Sequence, residues 1–439
     1  MPRRSLRETG MQPAVNPAAS TTATAPASRP SLLSSGAIVF VATMALNLGG
    51  FLFYAIAGRA LGVAEYGALY ALISIYALAG QPVAILSPVI ARYAAEFHAL
   101  HDASHLRGLA EYIVRVFGAI ALLSAVLATI FAVPIGAFIH EPAWAVVVVG
   151  IGVAFATLSA SLRAFCQGTH AFTLFGISML SEGVGKVLLL VGAVLLGLGL
   201  FGGLAAFMLG LGIGGAAIIV VLLRRYRGVV ATAPQIDWPR VRATLGGSAA
   251  SAVAGVVMGS ADVILVKHYF NAHDAGLYAA ASLGGKIVLY FIGFAPTVLL
   301  PHFTHRAARG ESTRRVLALV LAATAGVGLV AVIAYHFAGL LLLHMLVGTA
   351  FDAALPLMQA YAVAMALLAM TSALVTYGLA THRLGFAIPQ VLAAALTLAA
   401  IVLRHPSPAY VVAEMIAGNA LMVLVVGIAI AAQAKRRTA

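Results

Sequence analysis

The chain has 439 residues, of which 62% are hydrophobic and 9% charged, with a mean hydropathy of +1.03. A soluble domain carries roughly 25% charged residues, so composition excludes an ordinary water-soluble globule and points to a polytopic membrane protein. The net charge of +13 does not imply nucleic acid, because in a membrane protein the decisive question is which loops hold the basic residues. The single cysteine, Cys166, lies within an apolar run and excludes an intrachain disulfide or a cysteine metal cluster.

Residues 1–33 are rich in Ala, Pro, Ser and Thr, too poor in large apolar groups to repay ordering, and read as a disordered tail. Arg3 and Arg4 do not make a twin-arginine export signal, because the first apolar run begins only at Leu32. From there apolar runs follow one another near 34–58, 67–91, 111–134, 143–165, 172–196, 200–223, 244–267, 276–300, 316–346, 354–380, 384–404 and 409–432. Each is long enough, or nearly so, to cross a ~30 Å hydrocarbon core at 1.5 Å per residue. Continuous Ala, Leu, Val and Gly without polar alternation excludes a spanning barrel. The expected fold is an all-α integral membrane protein with twelve transmembrane helices in two six-helix pseudo-symmetric lobes. The lobes are placed at 34–223 and 244–432, joined by a polar linker at 224–243 and followed by a basic tail at 433–439.

Sorting the 26 Lys and Arg residues by loop places 21 in the tails, the even-to-odd connections or adjoining helix ends, Arg163 among them. Only Arg59, Lys267 and Arg404 fall on the other side. The positive-inside rule therefore expects both termini in the cytoplasm of a multi-pass inner-membrane protein.

The two halves echo each other. A short polar hairpin at Arg59 to Tyr70 recurs at Lys267 to Tyr278: Asn271, Asp274 and Gly276 each follow Gly62, Glu65 and Gly67 by 209 positions. Tyr290 and Pro296 follow Tyr76 and Pro82 by 214, and Pro301 follows Pro88 by 213. Repetition after half the length indicates two copies of one unit. A proline inside a membrane helix removes a donor and crowds the preceding turn, so Pro82, Pro88, Pro296 and Pro301 are expected to kink spans 2 and 8, either as gates or as static packing. Glu65 and Asp274 are expected to favour the positive starts of the helices that follow them.

A charge in hydrocarbon costs about 2.5–3.5 kcal/mol, so the few intramembrane charges are the candidates for chemistry. They are Glu182, Lys186, Asp262, Lys286 and Arg59. Counting from their helix ends puts Lys186 and Lys286 within roughly 10 Å of the midplane, where two lysines from different halves would line a cavity that receives an anion. Glu182 stands four residues before Lys186 and offers a neutralising partner. Lys286 has no carboxylate three or four residues away, and Ser282, Gly284 and Gly285 suggest a small, open face beside it. Asp262 is expected to pair with Arg59 or Lys267, with proton coupling as the alternative. His98, His101 and His105 would share a face of a helical loop, but a solvated surface is expected rather than a metal site. No nucleophile–base pair or phosphate-cradling glycine loop is present, and the outer loops are short, so neither an enzyme, a cofactor nor a metal is expected.

The stretch Gly58 to Leu69, with Pro88 to Glu96, Ala261 to Val266 and Ala275 to Ala281, resembles the bacterial polysaccharide (O-antigen type) flippases of the multidrug, oligosaccharidyl-lipid and polysaccharide exporter superfamily. The resemblance implies a two-lobed transporter that moves an undecaprenyl-diphosphate-linked oligosaccharide between leaflets by alternating access. It also implies membrane lipids as surroundings, and a polysaccharide polymerase and glycosyltransferases as partners. On that reading Lys286, Lys186 and Arg59 attract the diphosphate, while Gln81, Tyr290, Gln359 and Tyr361 hydrogen-bond the sugars. Two alternatives remain open: a cation-coupled multidrug exporter of the same superfamily, and a non-transporting scaffold for glycan-assembly enzymes.

Overall fold

The structure, a computed structural model, describes residues 32–308, 314–381 and 384–436. The expected disordered tail lies almost wholly outside them, as do Arg309, Arg383 and Arg437. All regular structure among the described residues is helical, as it must be where no water satisfies the backbone. The helices are α1 (Leu32–Ala79), α2 (Gln81–Ala99), α3 (Ala103–Ile130), α4 (Ala132–Ile139), α5 (Ala143–Gly168), α6 (Phe172–Leu195), α7 (Gly199–Arg225), α8 (Trp238–Tyr269), α9 (Ala272–Ala308), α10 (Arg314–Leu346), α11 (Leu355–Ala380), α12 (Ala387–Leu403) and α13 (Pro408–Arg436), with a 3-10 turn at Thr349–Ala354 before α11.

Twelve spans map onto these elements. Nine helices among the described residues are each long and apolar enough to cross a membrane. The first of these, at 44 residues, is ~66 Å long at 1.5 Å per residue, twice what one crossing needs. It is two spans folded at Gly62, which sits at φ 72° and ψ 176° inside an otherwise helical run. Only glycine takes that backbone without strain, so the hairpin expected at 59–70 is a one-residue corner. The second span then divides again at Gly80 and continues as α2, which has Pro82 in its first turn and Pro88 inside it. Proline fits a first turn because the N–H it lacks has no helical acceptor there. Span 8 is α9, which stays helical through positions 296 and 301; its kink and the side chains of Pro82, Pro296 and Pro301 lie outside the described residues. Span 11 is the 17-residue α12.

The packing scheme repeats, and this establishes the two lobes. Span 4 (α5) packs on spans 2, 3 and 6, and span 10 (α11) on spans 8, 9 and 12; span 5 (α6) packs on spans 1 and 6, and span 11 (α12) on spans 7 and 12. The lobes meet where α1 lies against α8 and α9, with further contacts of α4 and α2 on α8 and of α10 on α1. One glycine pair marks the symmetry. A Cβ on Gly67 would stand 2.7 Å from the Cα of Gly276, and a Cβ on Gly276 would collide with the Val63 carbonyl. These residues occupy the same place in the two copies, so the duplicated position meets itself across the lobe interface.

The segment between the lobes is tied down. Arg107 on α3 donates to the Tyr226 and Val229 carbonyls, Thr232 N–H donates to Ser104 O at 3.1 Å, and Asp237 N–H donates to the Tyr93 hydroxyl at 2.9 Å. Helix α8 then begins at Trp238, several residues before the apolar pattern does, because its first turns lie beyond the apolar stretch.

Candidate functional site

The two intramembrane lysines occupy different environments. In the N-terminal lobe Lys186 Nζ lies 2.5 Å from Glu182 Oε1, and Glu182 Oε2 lies 2.6 Å from an Arg163 guanidinium nitrogen. Arg163 Nε donates to Ser178 Oγ at 2.9 Å, whose hydroxyl donates to Gly214 O at 2.6 Å. The triad ties α5, α6 and α7 together, and Gly210 and Gly214 of α7 make room for it: a Cβ at either would run into the Lys186 stem or the Arg163 head. Lys186 also sits 4.3 Å from the Phe207 ring centre, the geometry in which an aromatic face attracts a cation. Arg163 lies near the end of α5, in keeping with its sorting among helix ends, but its side chain turns into the lobe. It is largely buried, and Lys186 is neutralised where it stands.

In the C-terminal lobe Lys286 is 8% exposed and its Nζ stands 4.8 Å from the Tyr70 ring centre of the other lobe. No described carboxylate lies within ion-pair distance of it; Asp262 acts on it only from further away. Asp262 is fully buried and accepts hydrogen bonds from the Tyr278 hydroxyl at 2.8 Å and the Tyr361 hydroxyl at 2.6 Å, both through Oδ2. Its Oδ1 is buried without a partner among the described residues. The expected pairing of Asp262 with Arg59 or Lys267 is thus replaced by two tyrosines. The small face beside Lys286 is not open either, because Cβ atoms at Gly284 and Gly285 would strike Met358 and Tyr361. These glycines let α11 approach α9 closely.

An aromatic chain joins the two lysines. Phe207, next to Lys186, stands edge to face with Phe53 at 5.3 Å; Phe53 meets Tyr54 at 5.6 Å; Tyr54 meets Tyr70 at 5.6 Å, and Tyr70 carries Lys286. Tyr76 packs on Phe207 from the side at 5.7 Å. Tyr290, 71% exposed, lies within electrostatic reach of Lys286, Tyr54 and Tyr70. Of the residues expected to meet sugars, Tyr290 alone has an exposed ring beside this cluster. Gln81 donates to Ala77 O at 3.1 Å across the break at Gly80, Gln359 donates to Tyr335 O at 3.0 Å, and Tyr361 is fully buried on Asp262.

Arg59 lies elsewhere, in a clasp at the hairpin ends of the lobes. It donates to Ala55 O at 2.7 Å, His344 O at 2.6 Å and Met345 O at 3.2 Å, so that it binds carbonyls in the last turn of α10. His268, which follows Arg59 by the same 209 positions, holds the Phe138 carbonyl at 2.6 Å through Nδ1; facing a carbonyl, that nitrogen carries the proton. Each lobe thus sends a donor from one copy of the hairpin to the opposite lobe, Arg59 to the end of α10 and His268 to α4, the short helix that follows the third span. Beside it Lys267 Nζ pairs with Glu141 Oε1 at 2.7 Å, both side chains nearly buried. The cap of α9 is Asn271, whose Oδ1 accepts from Asp274 N–H at 2.8 Å while its amide donates to the Asp274 carboxylate at 2.9 Å, so Asp274 holds the capping residue.

His98, His101 and His105 do not share one helix, because α2 ends at Ala99 and α3 starts at Ala103. No group able to hold a metal ion is found among the described residues. Sequence reasoning missed Arg163, Tyr54, Tyr70 and Phe207. The glycine density of α7 was the available signal for Arg163; the tyrosines of α1 carried no local signal of a cation partner in the other lobe.

The fold is similar to that of several solved membrane transporters. The chain superposes on an inward-facing MATE multidrug resistance transporter with a TM-score of 0.67 at 13% identity, covering 91% of this chain and 99% of that one. It superposes on the lipid II flippase MurJ in an inward closed conformation with a TM-score of 0.68 at 13% identity, covering 89% and 86%. The MATE multidrug transporter DinF-BH gives 0.61 at 13%, covering 89% and 94%. At such identities the likeness is one of fold. No protein-family profile and no curated protein matches the sequence.

Proposed function

We propose that the protein flips a lipid-diphosphate-linked oligosaccharide across the inner membrane by alternating access, with both termini cytoplasmic. The lobes at 34–223 and 244–432 would rock against each other about the clasp, with the linker at 224–243 as the hinge strap and the divided span 2, with Pro82 and Pro88, and span 8, with Pro296 and Pro301, as the bending elements. The observation that carries this reading is Lys286: a buried cation between the lobes, resting on Tyr70 with no described carboxylate in ion-pair distance. Such a charge is costly in hydrocarbon unless an anion completes it, and a diphosphate does. Lys186, neutralised by Glu182 in the triad with Arg163, acts as a strut of its lobe and leaves the diphosphate to Lys286. Tyr290, Tyr54 and Tyr76 would stack against or hydrogen-bond the sugars. Arg59, Gln81, Gln359 and Tyr361 support the walls. The presence of a lipid flippase among proteins of this fold agrees with an amphiphilic cargo, with polymerase and glycosyltransferases acting on either side of the step.

A second reading, cation-coupled multidrug export, draws on Asp262, a buried carboxylate with one oxygen lacking a partner, and on the multidrug transporters of the same fold. Purified protein in liposomes separates the two. Translocation of a fluorescent lipid-diphosphate oligosaccharide without uptake of cationic dye supports flipping; dye movement driven by a cation gradient, with the glycolipid static, overturns it.

A further inference from the structure

A second basic feature lies outside the lobe interface, at the end of the molecule where α2, α5 and α7 finish. There a pocket of about 270 Å³ is lined by His98 of α2, His101 of the following turn, Ala103 and Leu106 of α3, and Arg225 and Tyr226 at the end of α7. No acidic side chain lines it. His170, at the end of α5, stacks beside His98 with ring centres 5.8 Å apart. The nearest carboxylate, Asp102, is occupied: it accepts from Ser104 N–H, His105 N–H, Ser104 Oγ and His105 Nδ1 at 2.6–3.1 Å, and these bonds hold it well below the usual carboxylate range. Glu96 is two residues before His98 on α2, and such residues do not face each other on a helix.

One turn further along α3 a mainly apolar groove begins between α2 and α3, lined by Leu86, Ile90, Leu109, Ile113 and Phe117, by the rings of Tyr93 and Tyr112, and by Ile236 of the interlobe segment. An arginine flanked by histidines next to an apolar slot, at the ends of membrane spans, matches an amphiphile with a phosphate head and an acyl tail.

We infer that this is a binding site for an anionic phospholipid, its phosphate held by Arg225, His98 and His101 and one chain laid in the groove between α2 and α3. Arg225 supplies the permanent charge, and its planar fork suits a phosphate. The histidines supply charge only when protonated. His98 is held below its ordinary value, by burial first and then by the cations of His170, Arg225 and His101. A depressed histidine binds fewer protons folded than unfolded, so without an anion its protonation destabilises the fold as pH falls through about 6.5. A phosphate beside it offsets that repulsion, and lipid binding therefore tightens as pH falls.

The test uses full-length protein in detergent, exchanged against phosphatidylglycerol or phosphatidylcholine and read by native mass spectrometry. Wild type retains phosphatidylglycerol in preference, and more strongly at pH 5.5 than at 7.5. Arg225→Gln lowers that retention about fivefold, the effect of one basic residue at a membrane surface, while Arg225→Lys restores most of it. The double variant His98→Gln/His101→Gln removes the pH dependence. All positions are at the surface or partly exposed, and an unchanged melting profile in phosphatidylcholine confirms folding. Equal retention of the two lipids by wild type, Arg225→Gln retaining as much phosphatidylglycerol as wild type, or displacement of phosphatidylglycerol by millimolar inorganic phosphate alone would each overturn the assignment to a lipid.

Discussion

Each lobe carries one buried lysine, Lys186 or Lys286, and the two are held differently. In the N-terminal lobe Lys186 is consumed by Glu182, which is itself shared with Arg163, so three charges become part of the packing of α5, α6 and α7. In the C-terminal lobe the carboxylate, Asp262, is consumed by Tyr278 and Tyr361, and the lysine is left to an aromatic face of the other lobe. Duplication gave both halves the same frame, and the placement of one acid decided which lysine remains available. A carboxylate one turn away makes a strut, whereas one satisfied by hydroxyls leaves the lysine with no described carboxylate in ion-pair distance.

The contrast can be broken most severely at Glu182. Glu182→Gln leaves Lys186 and Arg163 buried without a counter-charge, and removing one partner of a buried pair costs about 3–5 kcal/mol. A large fall in melting temperature is expected, with recovery when Lys186→Met is added; a variant as stable as wild type would mean the triad is not structural. The clasp comes next. Glu141→Gln strands Lys267 and is expected to weaken closure of the hairpin ends by about 1.5–3 kcal/mol, the worth of a hydrogen bond to a charged group. Spin labels at Leu198 and Leu403, exposed on the two lobes, would then report a longer mean distance, and an unchanged distribution would remove the clasp from the account.

Gly67→Leu attacks the symmetry contact directly. Overpacking costs about 1–3 kcal/mol, and here it is expected to appear as a shift of the same label distances, because the added side chain meets Gly276 rather than solvent. The smallest effect is expected from Arg59→Ala, about 0.5–1.5 kcal/mol, since the carbonyls it closes lie at an exposed helix end. If Arg59→Ala instead abolished transport with no change in closure, Arg59 would belong with Lys286 as a substrate contact.

The twelve spans and their duplication were legible because hydrocarbon thickness and backbone satisfaction leave few options to an apolar run. The corner at Gly62 was legible as a turn but not as a single residue, since only the backbone angle distinguishes a sharp fold from a loop. The partner of Lys186 was readable from the spacing of four. The partners of Asp262 were not: Tyr278 lies 16 residues away and Tyr361 lies 99 away, and no local pattern connects α8 to α11. Lys267 and Glu141 were hidden for the same reason, being joined only when the lobes meet.

The central claim is that Lys286, and not Lys186, receives the anionic head of the cargo. The most direct measurement is the initial rate of lipid-diphosphate oligosaccharide translocation in proteoliposomes for Lys286→Ala beside Lys186→Met. Losing a charge-assisted contact worth about 1.5–3 kcal/mol corresponds to roughly a 10–100-fold fall in rate, and that fall is expected for Lys286→Ala at unchanged reconstitution, with Lys186→Met retaining most of the wild-type rate. Translocation by Lys286→Ala within twofold of wild type would contradict the account.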